Sequence, residues 1–341
     1  MQHTLLTTPT LPNKGNTTIQ RNHTIDVFRL IGAFCVVALH SPLGTMPNTL
    51  ALAIRLGSRW AVPFFFLVSG YFIANSLRDR KQINLSKSIN SLIGILIVAN
   101  LIYCLFYLVD ANPASTLDLD FTKIMVGQSE HLWYIGSTVF GLIMLQYLVS
   151  RYSDKVLFVV GLVILFFVLS YSYSGITGIH MQQDVARYFT SIPFIFAGFL
   201  IGRHPEFLRH LSVPICIAVT ILGFLLESGE AIALYKFTGA GPHNQEMLLG
   251  TAILALGIFC LSLASVTVQT NKLAEAGRKY SLLIYLYHPI IITVVYSIWN
   301  LGSYNTHLYW VSPLIDFIIT LLILRVIQRI SPVAFKALSG A

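Results

Sequence analysis

Charge is what this sequence has least of. Lys, Arg, Asp and Glu together make up 11% of 341 residues, against 55% hydrophobic residues, and the mean hydropathy is +0.72. A soluble globular chain carries roughly a quarter charged residues, so a water-soluble fold is excluded and a polytopic membrane protein is expected. Cysteine is scarce as well. Cys35, Cys104, Cys216 and Cys260 each fall in a different apolar run, without a CxxC or Cys/His cluster. That spacing argues against a disulfide framework or a structural zinc site, and no metal is expected. There is no Gly-rich phosphate loop, no internal repeat stands out, and no soluble domain fits between the apolar runs. The first 25 residues have no apolar core of the signal-peptide kind. They are polar, with Pro9, Pro12, Gly15 and several threonines, so residues 1–24 are expected to be a disordered cytoplasmic tail. The net charge of +8 does not call for nucleic acid as a partner, because membrane proteins gather Lys and Arg in cytoplasmic loops.

What the sequence does contain is apolar runs of about 20 residues, the length that crosses a bilayer as a helix. Ten candidates lie at approximately 26–45, 60–77, 88–109, 131–149, 156–173, 188–202, 211–228, 247–268, 280–299 and 311–330. The expected fold is an all-α integral membrane protein of about ten helices enclosing a polar cavity, spanning 25–331, with a cytoplasmic tail over 332–341. If the N-terminus is cytoplasmic, the inner segments hold fifteen Lys and Arg residues and the outer ones five: Arg55, Arg59, Lys123, Arg187 and Lys236. This bias predicts both termini inside.

The stretch Asp26–Pro42, DVFRLIGAFCVVALHSP, is the most informative. At about 100° per residue, with Asp26 as zero, Arg29 falls at about −60°, His40 at about −40° and Ala33 at about −20°. Three ionisable side chains thus share one narrow stripe, opposite an apolar face of Leu30, Ile31, Phe34, Cys35 and Leu39. Ionisable groups inside a span are costly and face a bundle interior or a watery cavity, which marks them as functional candidates. An i,i+3 ion pair at the helix entrance would account for Asp26 and Arg29, but not for His40 on the same stripe.

Further motifs follow in order: Arg59-Trp60 leading into PFFFLVSGY, with Ser69-Gly70; HLWYIG at 131–136; and YSLLIYLYHPII at 280–291. Together with Arg29 and His40 as R-x10-H, this ordered set resembles acyltransferase family 3, the bacterial integral-membrane acyltransferases that O-acylate surface polysaccharides. The resemblance covers about residues 22–330. Without the extra extracytoplasmic domain of some relatives, the chain looks like the bare membrane module.

The resemblance implies transfer of an acyl group, usually acetyl from acetyl-CoA, to a sugar hydroxyl, in the bacterial cytoplasmic (inner) membrane. It carries over Arg29 and His40, and more weakly Ser69, His131, Trp133 and His288. A histidine suits the task of taking a proton from a sugar hydroxyl near neutral pH, an arginine suits a developing oxyanion, and Asp26 can orient Arg29. Arg59, Ser69, Glu130, His131, Trp133, Tyr134 and His288 are candidates for the acceptor site. Two readings stand for His131, a sugar site or a solvated histidine in an interfacial aromatic belt. Two stand for His288, a catalytic role or a hydrogen-bonded core histidine at a kink before Pro289. Glu227 and Asp316 are either acceptor ligands or interfacial residues. Arg78, Arg80 and Lys81 are candidates for the phosphates of CoA, within a basic rim that also holds Arg203, Arg209, Arg278 and Lys279; positive-inside placement explains the rim equally well. Expected partners are membrane lipid and a glycan or lipid-linked sugar, with a homo-oligomer left open. The rival reading is a transporter or flippase of polysaccharide precursors using Asp26, Arg29 and His40 as a coupling relay. Such folds show paired halves with broken helices, and no such pairing is visible. A non-catalytic assembly subunit would leave the in-span charges unexplained.

Overall fold

Apolar runs in a bilayer must satisfy their backbone N–H and C=O groups within the segment, which makes helices of them. The computed structural model describes residues 22–43, 46, 48–77, 84–109, 127–239, 241, 245–266, 269, 271–301 and 306–339. Among the described residues all regular structure is helical. The helices are α1 (His23–His40), α2 (Asn48–Leu56), α3 (Ala61–Leu77), α4 (Ser86–Val109), α5 (Trp133–Val149), α6 (Asp154–Ser172) and α7 (Ser174–Thr177). They continue as α8 (Gln183–Arg203), α9 (Val213–Thr238), α10 (Leu249–Ala264), α11 (Lys272–Leu301), α12 (Ser312–Ile330) and α13 (Pro332–Leu338). Nine stretches among the described residues are long and apolar enough to cross a membrane, α2 and α3 together forming one of them. α10 is apolar but only 16 residues long. The chain is an all-α, multi-pass membrane protein.

Several helix ends differ from the apolar runs, each for a local reason. α1 stops at His40 instead of continuing to 45, because Ser41 is extended (φ −66°, ψ 140°) ahead of Pro42, as the residue before a proline tends to be. α9 runs ten residues beyond 228. Glu230, which interrupts the apolar pattern, accepts from the Tyr173 hydroxyl and the Gly250 N–H, both at 2.8 Å. α11 starts at 272, well before the apolar run, and α8 extends the short sixth run to 183–203. Residues 332–338, expected as tail, form α13, which packs on α4 and sets Phe335 edge-on to Tyr280.

Small residues allow close helix contact within lipid. A Cβ at Gly70 on α3 would lie 2.0 Å from the Ile195 carbonyl oxygen of α8, and one at Gly198 of α8 would lie 2.0 Å from the Leu67 carbonyl. α1 lies along α11 with the same intimacy: a Cβ at Gly277 would meet the Asp26 carbonyl at 1.8 Å. The start of α1 is tied down too. Asn22 caps it by accepting from Thr24 N–H at 3.0 Å and donates to Ser262 O of α10 at 2.9 Å. The first helix is therefore held along its length by α10, α11 and α12.

Candidate active site

At the C-terminal end of α1 a cavity of about 340 Å³ opens beside His40. Its polar lining comes from well-separated parts of the chain: Arg55 of α2, Arg59, Glu130 and His131 ahead of α5, Arg187 of α8 and Glu246 ahead of α10. Arg187 is clamped by Glu246, with Nε donating to Oε2 at 3.1 Å and Nη2 to Oε1 at 2.5 Å. Such two-pronged pairing fixes a guanidinium in orientation as well as position. Arg59 faces the fully buried Glu227 at 3.9 Å.

A second cavity, about 520 Å³, opens toward the N-terminal half of α1. Arg29 and Lys87 supply its positive charge; Ser69, Ser88, Ser91, Ser281 and Ser339 supply hydroxyls, and Phe65, Phe72 and Leu92 are among its apolar lining. Arg29 donates to Asp26 at 3.2 Å, and Asp26 itself is fully buried. Asp26 thus reaches the cavity through Arg29.

Tyr285 of α11 lines both cavities. Its ring lies 4.8 Å from that of Tyr134 and 6.5 Å from that of Phe65, so the two spaces meet at an aromatic partition. The Tyr285 hydroxyl donates to His131 O at 2.7 Å, joining α11 to the start of α5.

Three histidines gather on the His40 side of this partition. The His40 and His288 ring centroids are 5.1 Å apart, and those of His131 and His288 are 5.5 Å apart. His131 is buried, and both ring nitrogens are engaged. Its Nε2 lies 2.9 Å from Leu286 O and 3.2 Å from the Tyr103 hydroxyl, and its Nδ1 lies 3.0 Å from Ser129 Oγ. A carbonyl oxygen only accepts, so Nε2 carries the proton and Nδ1 accepts from the serine.

The residues singled out from the sequence therefore divide. His40, Arg59, Glu130, His131 and Trp133 share one cavity; Arg29, Ser69 and Tyr134 share the other, so Ser69 and Tyr134 stand apart from the acceptor candidates with which they were grouped. The one stripe of α1 serves two spaces, because the helix passes the partition between Arg29 and His40. His131 is not a solvated belt residue: burial and its occupied nitrogens make it part of the wall. His288 is fully buried and lines neither cavity. Glu227 and Asp316 line neither cavity, since both are buried, Glu227 behind Arg59 and Asp316 against Ser41. Of the basic rim, Arg203 pairs with Asp154 at 3.1 Å and Lys279 with Glu275 at 2.6 Å; Arg209 and Arg278 are exposed, and none of the four lines the Arg29 cavity. Arg78, Arg80 and Lys81 lie outside the described residues.

Sequence reasoning missed Arg55, Arg187, Glu246, Lys87 and Tyr285 as cavity residues. A signal for two of them was present. Arg55, Arg59 and Arg187 are three of only five basic residues placed against the charge bias, and all three converge on the His40 cavity.

The model of acyltransferase family 3, described as an acyltransferase domain, matches residues 22–327. The chain belongs to this family. It is a multi-pass membrane member of the family, and the match takes in both cavities apart from Ser339. An amino-acid racemase of Enterococcus faecalis is 26% identical over 309 residues, covering 82% of this chain and 42% of the racemase. A serine/alanine racemase of Enterococcus gallinarum is 25% identical over 303 residues, covering 80% of this chain and 41% of that protein. The chain spans about two fifths of the length of these curated relatives. No solved structure matches it.

Proposed function

We propose that the protein moves an acyl group, in the first instance acetyl, from acyl-CoA to a sugar hydroxyl of a surface polysaccharide or lipid-linked glycan. The observation that carries this reading is the pair of cavities meeting at Tyr285. A reaction between a donor from one side of a membrane and an acceptor from the other needs two entrances and one meeting point. The fifteen-to-five charge bias supports a cytoplasmic location for both termini, in the inner membrane of a bacterium. The Arg29 cavity then faces the cytosol, where acyl-CoA is found. Arg29, Lys87 and the serine hydroxyls are suited to its phosphates and polar arm. Arg78, Arg80 and Lys81 belong to the same proposed donor side.

His40 lies about 16 Å beyond Arg29 along α1 at roughly 1.5 Å per residue, on the acceptor side. There it serves as general base. As the sugar oxygen bonds to the thioester carbonyl carbon, its proton passes to His40; as the C–S bond breaks, that proton goes to the departing thiolate. Arg55, Arg59 and Glu130 are placed to orient the sugar, with Trp133 offering an aromatic face. Arg29 is too far along the helix to reach the same reacting atom and steadies the donor.

The test is purified protein in liposomes, supplied with labelled acetyl-CoA and candidate glycans. Label is expected in the glycan, and His40→Ala is expected to abolish transfer while acetyl-CoA binding, followed by calorimetry, persists. Near-normal transfer by His40→Ala would refute the base assignment. Sidedness has its own check in a cysteine-free variant. A cysteine at His180 should react with an impermeant thiol reagent from outside, and one at His210 only after the membrane is opened; the reverse pattern sinks the orientation.

The mixture of arginines and carboxylates in the His40 cavity favours one alternative. The relatives named as amino-acid racemases suggest an amino acid there, its carboxylate on Arg55 or Arg59 and its ammonium on Glu130. Labelled serine or alanine crossing the liposome unchanged would favour this alternative and the transporter class; label joined to an acyl group would keep the enzyme and change the acceptor.

A further inference from the structure

His288 is the buried titratable group that acyl transfer, as described, does not use. Its surroundings are set by the next residue. Pro289 has no N–H, so the Tyr285 carbonyl four residues earlier loses its regular helical partner. His288 Nδ1 stands 2.8 Å from that carbonyl and 3.0 Å from Ile284 O. Both neighbours only accept, so Nδ1 carries the proton and Nε2 carries the lone pair. The proline thereby fixes the histidine's tautomer.

That lone pair is buried without a hydrogen-bond partner among the described residues. Three rings surround His288. His131 has no N–H left to give, because its one ring proton goes to Leu286 O. The Tyr285 hydroxyl is directed at His131 O. His40 remains, at a centroid separation of 5.1 Å with the planes inclined by 48°. The two rings touch here without a hydrogen bond between them, and a turn of the His40 ring that brings one of its nitrogens to about 2.9 Å from Nε2 keeps the centroids about 5 Å apart.

We propose that His288 is a positioning residue for His40, its Nε2 accepting the N–H of the His40 nitrogen turned away from the sugar once the His40 ring turns toward it. This rests on the reading of His40 as general base. The contact leaves the other His40 nitrogen as the free base, and it holds the ring in place when both nitrogens are protonated after the hydroxyl proton has moved. A neutral histidine performs here, in a membrane interior, the orienting task that a carboxylate performs elsewhere, without placing a second charge there.

The test compares three variants in the liposome assay. Glutamine places an amide oxygen where Nε2 stands, asparagine substitutes only for Nδ1, and phenylalanine keeps the ring without either nitrogen. His288→Phe and His288→Asn are expected to lower kcat by about 10- to 100-fold, the equivalent of roughly 1.4–2.8 kcal/mol and on the scale of one lost buried hydrogen bond, with KM for acetyl-CoA little changed. His288→Gln is expected to recover a large part of the loss. Phenylalanine at wild-type rate, or glutamine no better than asparagine, overturns the proposal. A readout independent of activity covers variants that fold poorly. In protein carrying 15N-labelled histidine, His40→Phe should move the His288 Nε2 resonance toward that of a free lone pair, and an unmoved resonance overturns the contact. Retained transfer in His40→Ala would instead remove the base assignment, and the resonance would still report whether the two rings are bonded.

Discussion

Asp316 accepts a hydrogen bond from the Ser41 hydroxyl at 2.7 Å, across 275 residues of sequence. Ser41 directly follows His40 and caps α1, so α12 holds the end of the helix on which the proposed base sits. Both side chains are buried. Ser41→Ala leaves the Asp316 carboxyl without this donor and is expected to cost about 1–3 kcal/mol, with a fall in kcat as the His40 end of α1 loosens. Asp316→Asn keeps an acceptor oxygen and should cost less. Thermal melting in detergent, beside the transfer assay, checks the order of the two.

The α3–α8 contact predicts a steep steric effect. At Gly70 the obstacles to a Cβ are backbone atoms, Ile195 O at 2.0 Å and Phe199 N at 2.8 Å, which no side-chain rotation can move. Gly70→Ala is expected to lower stability by about 1–3 kcal/mol or more through forced separation of the helices. Gly94 on α4 has nothing within 4 Å of its Cβ position, so Gly94→Ala should be neutral or gain up to about 1 kcal/mol from helix propensity. Melting temperatures of the two variants against wild type decide it.

His204, just past α8, links Glu206 at 2.8 Å and Asp154 at 2.9 Å, while Arg203 reaches the same Asp154 at 3.1 Å. The hydrogen bonds to Glu206 and Asp154 raise its pKa above the ordinary histidine value. A raised pKa means the folded state holds the proton more tightly. The contribution is therefore full below about pH 6.5 and fades as pH rises through the raised value. The site is half exposed, so the effect is small and sensitive to salt. Between pH 6 and 9 at low salt, the wild-type melting temperature should fall more than that of His204→Gln, and the difference should shrink at high salt.

The two cavities predict opposite kinetic signatures. Arg29→Ala should raise KM for acetyl-CoA by about tenfold, the equivalent of roughly 1.4 kcal/mol, and leave acceptor KM nearly unchanged. Arg55→Ala should do the reverse. Steady-state kinetics with each substrate varied in turn separates them; equal effects on both KM values would speak against separate donor and acceptor entrances.

The nine membrane-length stretches and the shorter α10 were legible among the described residues because each buries its own backbone groups and so announces itself as an apolar run. The stripe of Asp26, Arg29 and His40 was legible for the same local reason. The partition was not. It depends on Phe65, Tyr134 and Tyr285, aromatic residues of three helices whose meeting in space no local pattern reports. Glu227 and Glu230 look like the end of a span, yet α9 carries both onward because α10 packs against one and a tyrosine and a backbone N–H meet the other. The pairing of Arg187 with Glu246 joins residues 59 positions apart, and no periodicity reports that. The proline beside His288 was visible, but not that the freed carbonyl would choose the histidine's proton.

The aromatic partition at Tyr285 has an electrical consequence. In the proposed topology, with polar hollows approaching from either end of α1, most of the voltage across the bilayer would fall over the thickness of a few rings. Phe65, Tyr134 and Tyr285 would then form the insulating wall between the two hollows. An acyl group passing between the two cavities, as proposed, would have to cross there without protons following, so the side chains that admit the substrate would also be those that hold back the ion gradient.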